Sequence, residues 1–130
     1  MRELETKIAQ SIQAVISESI EVRVGEQLAT IPKDQVVVVN LDSKRPKNSA
    51  FSDVFENIFK IQVKMHYAES SEEQMEQTCR SIHFQLLNPD LWNLDENILY
   101  HQVQDTKKQI QENHWIQEIT YMVLSVDKES

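Results

Sequence analysis

The sequence predicts an α+β fold: a mainly antiparallel sheet of about four strands with two helices packed on one face, plus an extended hairpin arm. Two segments, at the N-terminus and after residue 70, carry apolar residues at helical spacing. The other segments show apolar runs or alternation of apolar and polar residues, which is typical of strands. Each helix has one apolar stripe, so both need a sheet face to cover. At 130 residues, we expect a single domain spanning residues 1–130.

The first half of the chain begins with a helix, predicted over residues 3–18. Its apolar stripe consists of Leu4, Ile8, Ile12, Val15 and Ile16. Four consecutive valines at 36–39 suit a strand that is buried on both faces. Residues 42–53 are polar and include Pro46, which predicts an exposed and flexible loop.

A long strand and a capped helix follow. Residues 55–67 alternate between apolar and polar side chains, so one face packs and the other meets water; Asn57 interrupts the apolar face. Ser70 and Glu73 fit a capping box at a helix start. The apolar stripe of this helix is Met75, Cys79, Ile82 and Leu86. Pro89 ends the helix because it disfavours a helical residue before it.

The last third of the chain predicts an extended hairpin over residues 98–126. Residues 98–104 form a moderate strand pattern, and residues 105–113 are polar without glycine. That composition excludes a tight turn and leaves a wide loop or an extended arm. Residues 115–126 are rich in apolar side chains on both faces, so we expect the end of this strand to be buried on both sides.

Composition limits the classes of function. The formal net charge is −8, which argues against tight nucleic-acid binding through a basic face. A single cysteine excludes an internal disulfide. The N-terminus has no apolar core of signal-peptide length, and no apolar run approaches the roughly 20 residues that span a bilayer. We therefore expect a soluble cytoplasmic protein that does not bind membranes.

The negative charge is concentrated in the second half of the chain. Residues 1–65 hold nine basic and nine acidic side chains, whereas residues 66–130 hold four and twelve. The densest group is Glu69, Glu72, Glu73 and Glu76. One interpretation is a solvated helix start, where carboxylates complement the helix dipole. The other is a surface that needs a negative field, such as a channel wall or the contact for a basic partner.

The predicted loop carries three basic residues, Lys44, Arg45 and Lys47. They are either a solvated turn or a docking point for an acidic surface. The acidic second half of another copy supplies such a surface, so a head-to-tail contact between copies is one hypothesis.

The residues with chemical potential favour a structural framework. Cys79 and His83 stand four apart on the predicted helix, but Cys79 lies on the apolar stripe, where a thiol behaves as a small hydrophobe. His101 and His114 flank the hairpin arm and are interpreted as surface or interface residues. With one glycine in the chain, no phosphate-binding loop is present, and no metal-ligand or nucleophile motif is found. We therefore expect no enzyme activity, cofactor or metal.

The order of elements resembles the tail terminator, or tail completion, proteins of long-tailed bacteriophages and prophages. The resemblance spans roughly residues 4–126 and rests on the valine strand, the long alternating strand, the capped helix SSEEQMEQTCRSIHFQLL and the final strand WIQEITYMVLSV. It implies a homo-hexameric ring that caps the tail tube, ends polymerisation of the tube protein and offers a joining surface to the head connector. It also implies assembly in the host cytoplasm and a final location in the virion tail.

The resemblance implies roles at interfaces rather than in catalysis. The basic residues Lys44, Arg45 and Lys47 are expected to contact a neighbouring subunit or the tube. The acidic group of Glu69, Glu72, Glu73 and Glu76 is expected to face either the lumen of the hexameric ring or that basic loop. His114 and Trp115, at the hairpin arm, are expected at a subunit contact.

Two other classes of function stay open from the sequence. One is a small enzyme or ligand-binding domain in which Cys79, His83 and His66 line a pocket, and it requires a thiol of low pKa. The other is a regulatory or chaperone-like protein that binds a partner through its sheet edge.

Overall fold

A computed structural model of the chain describes residues 3–25, 35–48, 51–66, 71–111 and 114–126. These residues form two helices and five strands, so the predicted α+β class is confirmed. The elements are α1 (Glu3–Gln13), β1 (Glu21–Val24), β2 (Val36–Asn48), β3 (Phe51–His66), α2 (Ser71–Leu87), β4 (Ile98–Gln111) and β5 (His114–Val126). Helix α1 is shorter than expected, since it ends at Gln13 rather than at residue 18.

The strands form one sheet in the order β1-β2-β3-β5-β4. The β2–β3, β3–β5 and β5–β4 pairs are antiparallel, as expected, whereas β1 pairs in parallel with β2. The prediction of about four strands missed β1, which has four residues and lies at one edge. Gly25 ends β1 with a φ of 69°, a left-handed conformation that glycine adopts without steric cost, and its amide donates to the Val39 carbonyl at 2.8 Å.

Both helices pack on the same face of the sheet, as the single apolar stripes predict. Helix α1 lies against β1 and β2, and α2 lies against β3, β5 and β4. The core between them includes Ile8 and Ile12 of α1, Met75 and Ile82 of α2, and Phe59, Ile61, Val63, Ile119, Tyr121 and Val123 of the sheet. All four valines of β2 are buried, which confirms a strand buried on both faces.

The segment predicted as a loop at residues 42–53 is mostly strand, and that prediction was wrong. Strand β2 continues through Asn48, and β3 begins at Phe51. Strand β1 reaches only Val39 of β2, so the rest of β2 is an edge among the described strands. An edge strand tolerates Pro46, which has no N–H to donate, and the polar side chains of this part face solvent. The β2–β3 pairing shifts register twice in this part of the strand, after Leu41 and after Pro46, as at a β-bulge.

Strands β4 and β5 form the extended hairpin arm. Of the two alternatives that the sequence left for residues 105–113, the extended arm is therefore confirmed and the wide loop is wrong. Strand β4 runs to Gln111 and pairs with β5 from His114. It is the second edge of the sheet, which is why its polar residues after 103 are exposed. Asn57, the exception on the apolar face of β3, is buried and donates to the Val123 carbonyl at 3.0 Å and to Ser125 Oγ at 2.8 Å.

Candidate functional site

Strands β2 and β3 form the first hairpin of the chain, and Lys44, Arg45 and Lys47 lie on its β2 strand. They are distributed over both faces of the hairpin and do not form one patch. Lys44 faces the helix side, with its ammonium 4.8 Å from the centre of the Phe55 ring. Arg45 and Lys47 face the opposite side, and each contacts the Glu56 carboxylate at 3.4 Å. Their side chains remain 71% and 53% exposed, so they can still reach a partner. Any contact that they make outside the chain competes with Glu56.

The acidic group at the start of α2 is tied to the arm. The Lys108 ammonium on β4 donates to Glu76 at 2.8 Å and to Glu72 at 2.5 Å. These contacts lower the pKa of Glu76 and raise that of Lys108. Glu73 is exposed, whereas Glu69 lies outside the described residues. One lysine therefore offsets part of the negative field that the sequence suggested.

His114 and Trp115 begin β5 and are half-buried within their own chain. Trp115 packs against the hydrophobic core, and the Lys108 ammonium lies 5.1 Å from the centre of its ring. His114 pairs with His66 across the β3–β5 ladder. The structure thus gives both residues a role inside the fold, in addition to any role between subunits.

Cys79 and His83 come together in a shallow recess beside α2. The recess has a volume of about 250 Å³ and is lined by Glu76, Cys79, Arg80, His83, Phe84 and Gln117. Burial raises the pKa of the Cys79 thiol to about 12, so the nucleophilic thiolate is scarce at neutral pH. The side chain of His66 lies outside the described residues. Within the described ranges, no three His, Cys, Asp or Glu side chains converge in a way that could hold a metal ion.

A hydrogen-bonded chain that sequence reasoning missed joins three separate segments. Trp92 Nε1 donates to the Tyr121 hydroxyl at 3.0 Å, and that hydroxyl lies 2.8 Å from His101 Nδ1. The backbone of Leu86, at the end of α2, opposes part of the effect of burial on the pKa of His101. The Tyr121 hydroxyl donates to Nδ1 or accepts from it according to which ring nitrogen of His101 carries the proton. Burial lowers the pKa of His101 and raises that of Tyr121, so both groups are held neutral.

The connection between α2 and β4 presents an unusual apolar side chain. Leu94 is 98% exposed, yet its neighbours Trp92 and Asp95 are anchored to the body of the protein. A second recess of about 410 Å³ separates this connection from α1. The sequence gives no sign of this feature, because the exposure of a single leucine cannot be read from composition.

Neither helix in the described part of the chain is both long and apolar enough to cross a membrane.

Comparison with known proteins identifies the fold. Neither a family model nor a curated protein matches this sequence. Among solved structures, 35 chains match. One of them is a chain from the virion of a native gene transfer agent particle, with a TM-score of 0.66 and 12% sequence identity. The match covers 95% of this chain and 94% of that chain, so the whole described architecture is shared. The fold is therefore one that is also found in the virion of a gene transfer agent.

Proposed function

We propose that this protein is a structural component of a phage-like particle. The observation that carries the proposal is the end-to-end likeness to a chain of a gene transfer agent virion. The likeness is informative because it extends over 95% of this chain and 94% of the matched chain rather than over one shared segment. A fold alone does not fix function, so the chemistry of the surfaces must agree with the role.

The surfaces agree with a role in assembly rather than in catalysis. The thiol of Cys79 is protonated, and His101 and Tyr121 bond to other side chains of the framework. The exposed features are instead apolar or charged side chains that a partner could cover, including Phe84, Leu94 and Arg45. We infer that the protein is not an enzyme and uses no cofactor.

The more specific proposal is a tail terminator. In this role, one-domain subunits close into a homo-hexameric ring that caps the tail tube, ends polymerisation of the tube protein and receives the head connector. Its support is the order of elements along the sequence together with the shared fold. Assembly takes place in the host cytoplasm, and the ring remains in the virion tail without binding DNA tightly.

Interface roles are proposed for the residues that the sequence singled out. Lys44, Arg45 and Lys47 would contact a neighbour or the tube, and His114 and Trp115 would lie near a subunit boundary at the arm. Glu69, Glu72, Glu73 and Glu76 would face the lumen or a basic partner, with Lys108 reducing their field. Reversing the charges of Lys44, Arg45 and Lys47 is expected to weaken self-association at low salt, and unchanged assembly would contradict their role.

The experiment that tests the terminator role is a capping assay. A tail tube protein is polymerised with and without the purified protein, and the tubes are imaged by negative stain. We expect shorter tubes that carry a ring at one end. Tubes of unchanged length with bare ends would refute the terminator role, whereas binding along the tube wall would move the protein to another position in the particle.

A further inference from the structure

The connection between α2 and β4 displays Leu94 as a knob. Residues 92–95 form a turn in which the Asp95 amide donates to the Trp92 carbonyl at 2.9 Å. Leu94 occupies the third position of this turn and is 98% exposed, the largest exposure among the large apolar side chains of the described residues. A turn does not require a leucine there, because polar residues serve the same position.

The turn that carries Leu94 is anchored on both sides by side-chain contacts. Trp92 is anchored through its indole N–H to Tyr121, and Asp95 pairs with Lys7 of α1 at 2.7 Å. The Asp95 side chain also accepts the Asn97 amide at 2.9 Å, and the Lys7 ion pair lowers the pKa of Asp95. Because the backbone of the turn is already ordered, binding has only to order the leucine side chain, which favours association.

The charge around the knob selects a basic surface. Residues 88–97 contain Asp90, Asp95 and Glu96 and no basic residue. Asp95 is paired within the chain, whereas Asp90 and Glu96 are exposed. A partner surface for Leu94 therefore needs an apolar hollow with a cation at its rim.

The recess beside α2 meets both requirements. Its wall includes Phe84, which is 70% exposed, and its floor includes the buried Cys79. Arg80 is exposed at the same recess, and Glu76 beside it is engaged by Lys108. The volume of about 250 Å³ is of the order needed for one branched aliphatic side chain and not for a helix.

We propose that Leu94 of one copy inserts into the α2 recess of a second copy, with Glu96 and Asp90 next to the partner's Arg80. The contact is heterologous, since the knob and the recess are different surfaces, and repeating it generates a closed ring or an open filament. The inference rests on the proposed function in that it supposes self-assembly, and it adds the surfaces that make the contact.

The test begins with Leu94→Glu, compared with Leu99→Glu as a matched control. Both leucines are exposed, at 98% and 56%, so neither change is expected to unfold the chain, and circular dichroism checks this. The concentration of half-dissociation is measured by light scattering on dilution. Because Leu94→Glu removes one leucine that is buried on assembly, we expect it to raise the concentration of half-dissociation roughly tenfold or more. The Leu99→Glu control should change that concentration little.

A charge swap then identifies the acceptor. Arg80→Glu and Glu96→Lys are each expected to weaken self-association, and the double variant is expected to recover most of it. If Leu94→Glu weakens assembly but the swap gives no recovery, the α2 recess is not the acceptor.

Two further outcomes separate this inference from the proposed function. Unchanged assembly of Leu94→Glu would overturn the knob while leaving self-assembly in place. A wild-type protein that stays a single chain at every concentration would overturn the contact, and the capping assay would then decide the terminator role independently.

Discussion

Replacing Tyr121 with phenylalanine tests whether the Trp92–Tyr121–His101 chain stabilises the fold. The substitution keeps the buried ring and removes only the hydroxyl, which accepts from Trp92 at 3.0 Å and lies 2.8 Å from His101 Nδ1. Each partner left without a hydrogen bond costs about 1–3 kcal/mol when buried. Because Trp92 and His101 are half-buried, the lower end applies to both, and we expect a total loss of about 2 kcal/mol.

The assay is urea unfolding followed by circular dichroism, at one chain concentration for all variants because self-association would also stabilise the fold. For a chain of this length, the loss corresponds to a decrease in melting temperature of roughly 6–10 °C. Tyr100→Phe is the control, since Tyr100 is 51% exposed and, among the described residues, its hydroxyl donates only to the exposed Gln102 side chain. We expect that control to stay within about 0.5 kcal/mol of the parent protein.

A double-mutant cycle with Trp92→Phe separates the hydrogen bond from its surroundings, and its expected coupling energy is about 1 kcal/mol. A loss below about 0.5 kcal/mol for Tyr121→Phe, or equal losses at Tyr121 and Tyr100, would refute the reasoning. In that case the connection after α2 would be held by packing and by the Lys7–Asp95 pair rather than by this chain of hydrogen bonds.

Three more predictions concern buried polar groups. Burial lowers the pKa of His101 in the folded state below its ordinary value of 6.5. The neutral ring therefore stabilises the fold fully above about pH 6.5, and this stabilisation is lost as the pH falls through the lower folded-state pKa. Urea midpoints measured from pH 7.5 to 5.5 should show the decrease, and His101→Gln should flatten the profile. Asn57→Asp removes the two hydrogen bonds that the Asn57 amide donates and places a carboxylate against the Val123 carbonyl. It should lower the free energy of unfolding in urea by about 3 kcal/mol or more. Asn93→Asp, at an exposed site, is the control and should change it little. Cys79 should react with a thiol reagent only on unfolding, and rapid modification of the folded protein would contradict its raised pKa.

The sequence predicted those elements whose pattern is decided locally. The valine run of β2, the alternation along β3 and the stripe of α2 each reflect burial on one or two faces, and each was found where it was expected. Strand β1 was missed because four residues carry too little periodicity, and its strand character depends on parallel pairing with β2. Local propensity does not reveal such a partner.

The predicted loop failed for a different reason. Residues 42–48 are polar, contain Pro46 and resemble a loop, but the end of β2 needs only one partner, β3. Edge strands are polar because one side of them faces solvent, so their composition resembles that of loops. The same argument explains why the polar half of β4 left two alternatives open from the sequence.

In the candidate site too, the sequence shows which residues are present but not which of them come into contact. The acidic group at the start of α2 was evident from composition, whereas its pairing with Lys108 joins residues more than thirty positions apart. The basic residues of the first hairpin were evident too, but the strand places Lys44 on one side and Arg45 on the other. Leu94 carried no sequence signal, because only the folded chain shows that its neighbours are anchored while it is exposed.

The central claim is that the protein is a self-assembling component of a phage-like particle. Its most direct test is the absolute mass in solution, measured by light scattering after size exclusion over a range of concentration and salt. The account predicts a mass close to six chains, with rings visible by negative stain. A single-chain mass under every condition, with no association when the tube protein is added, would contradict it.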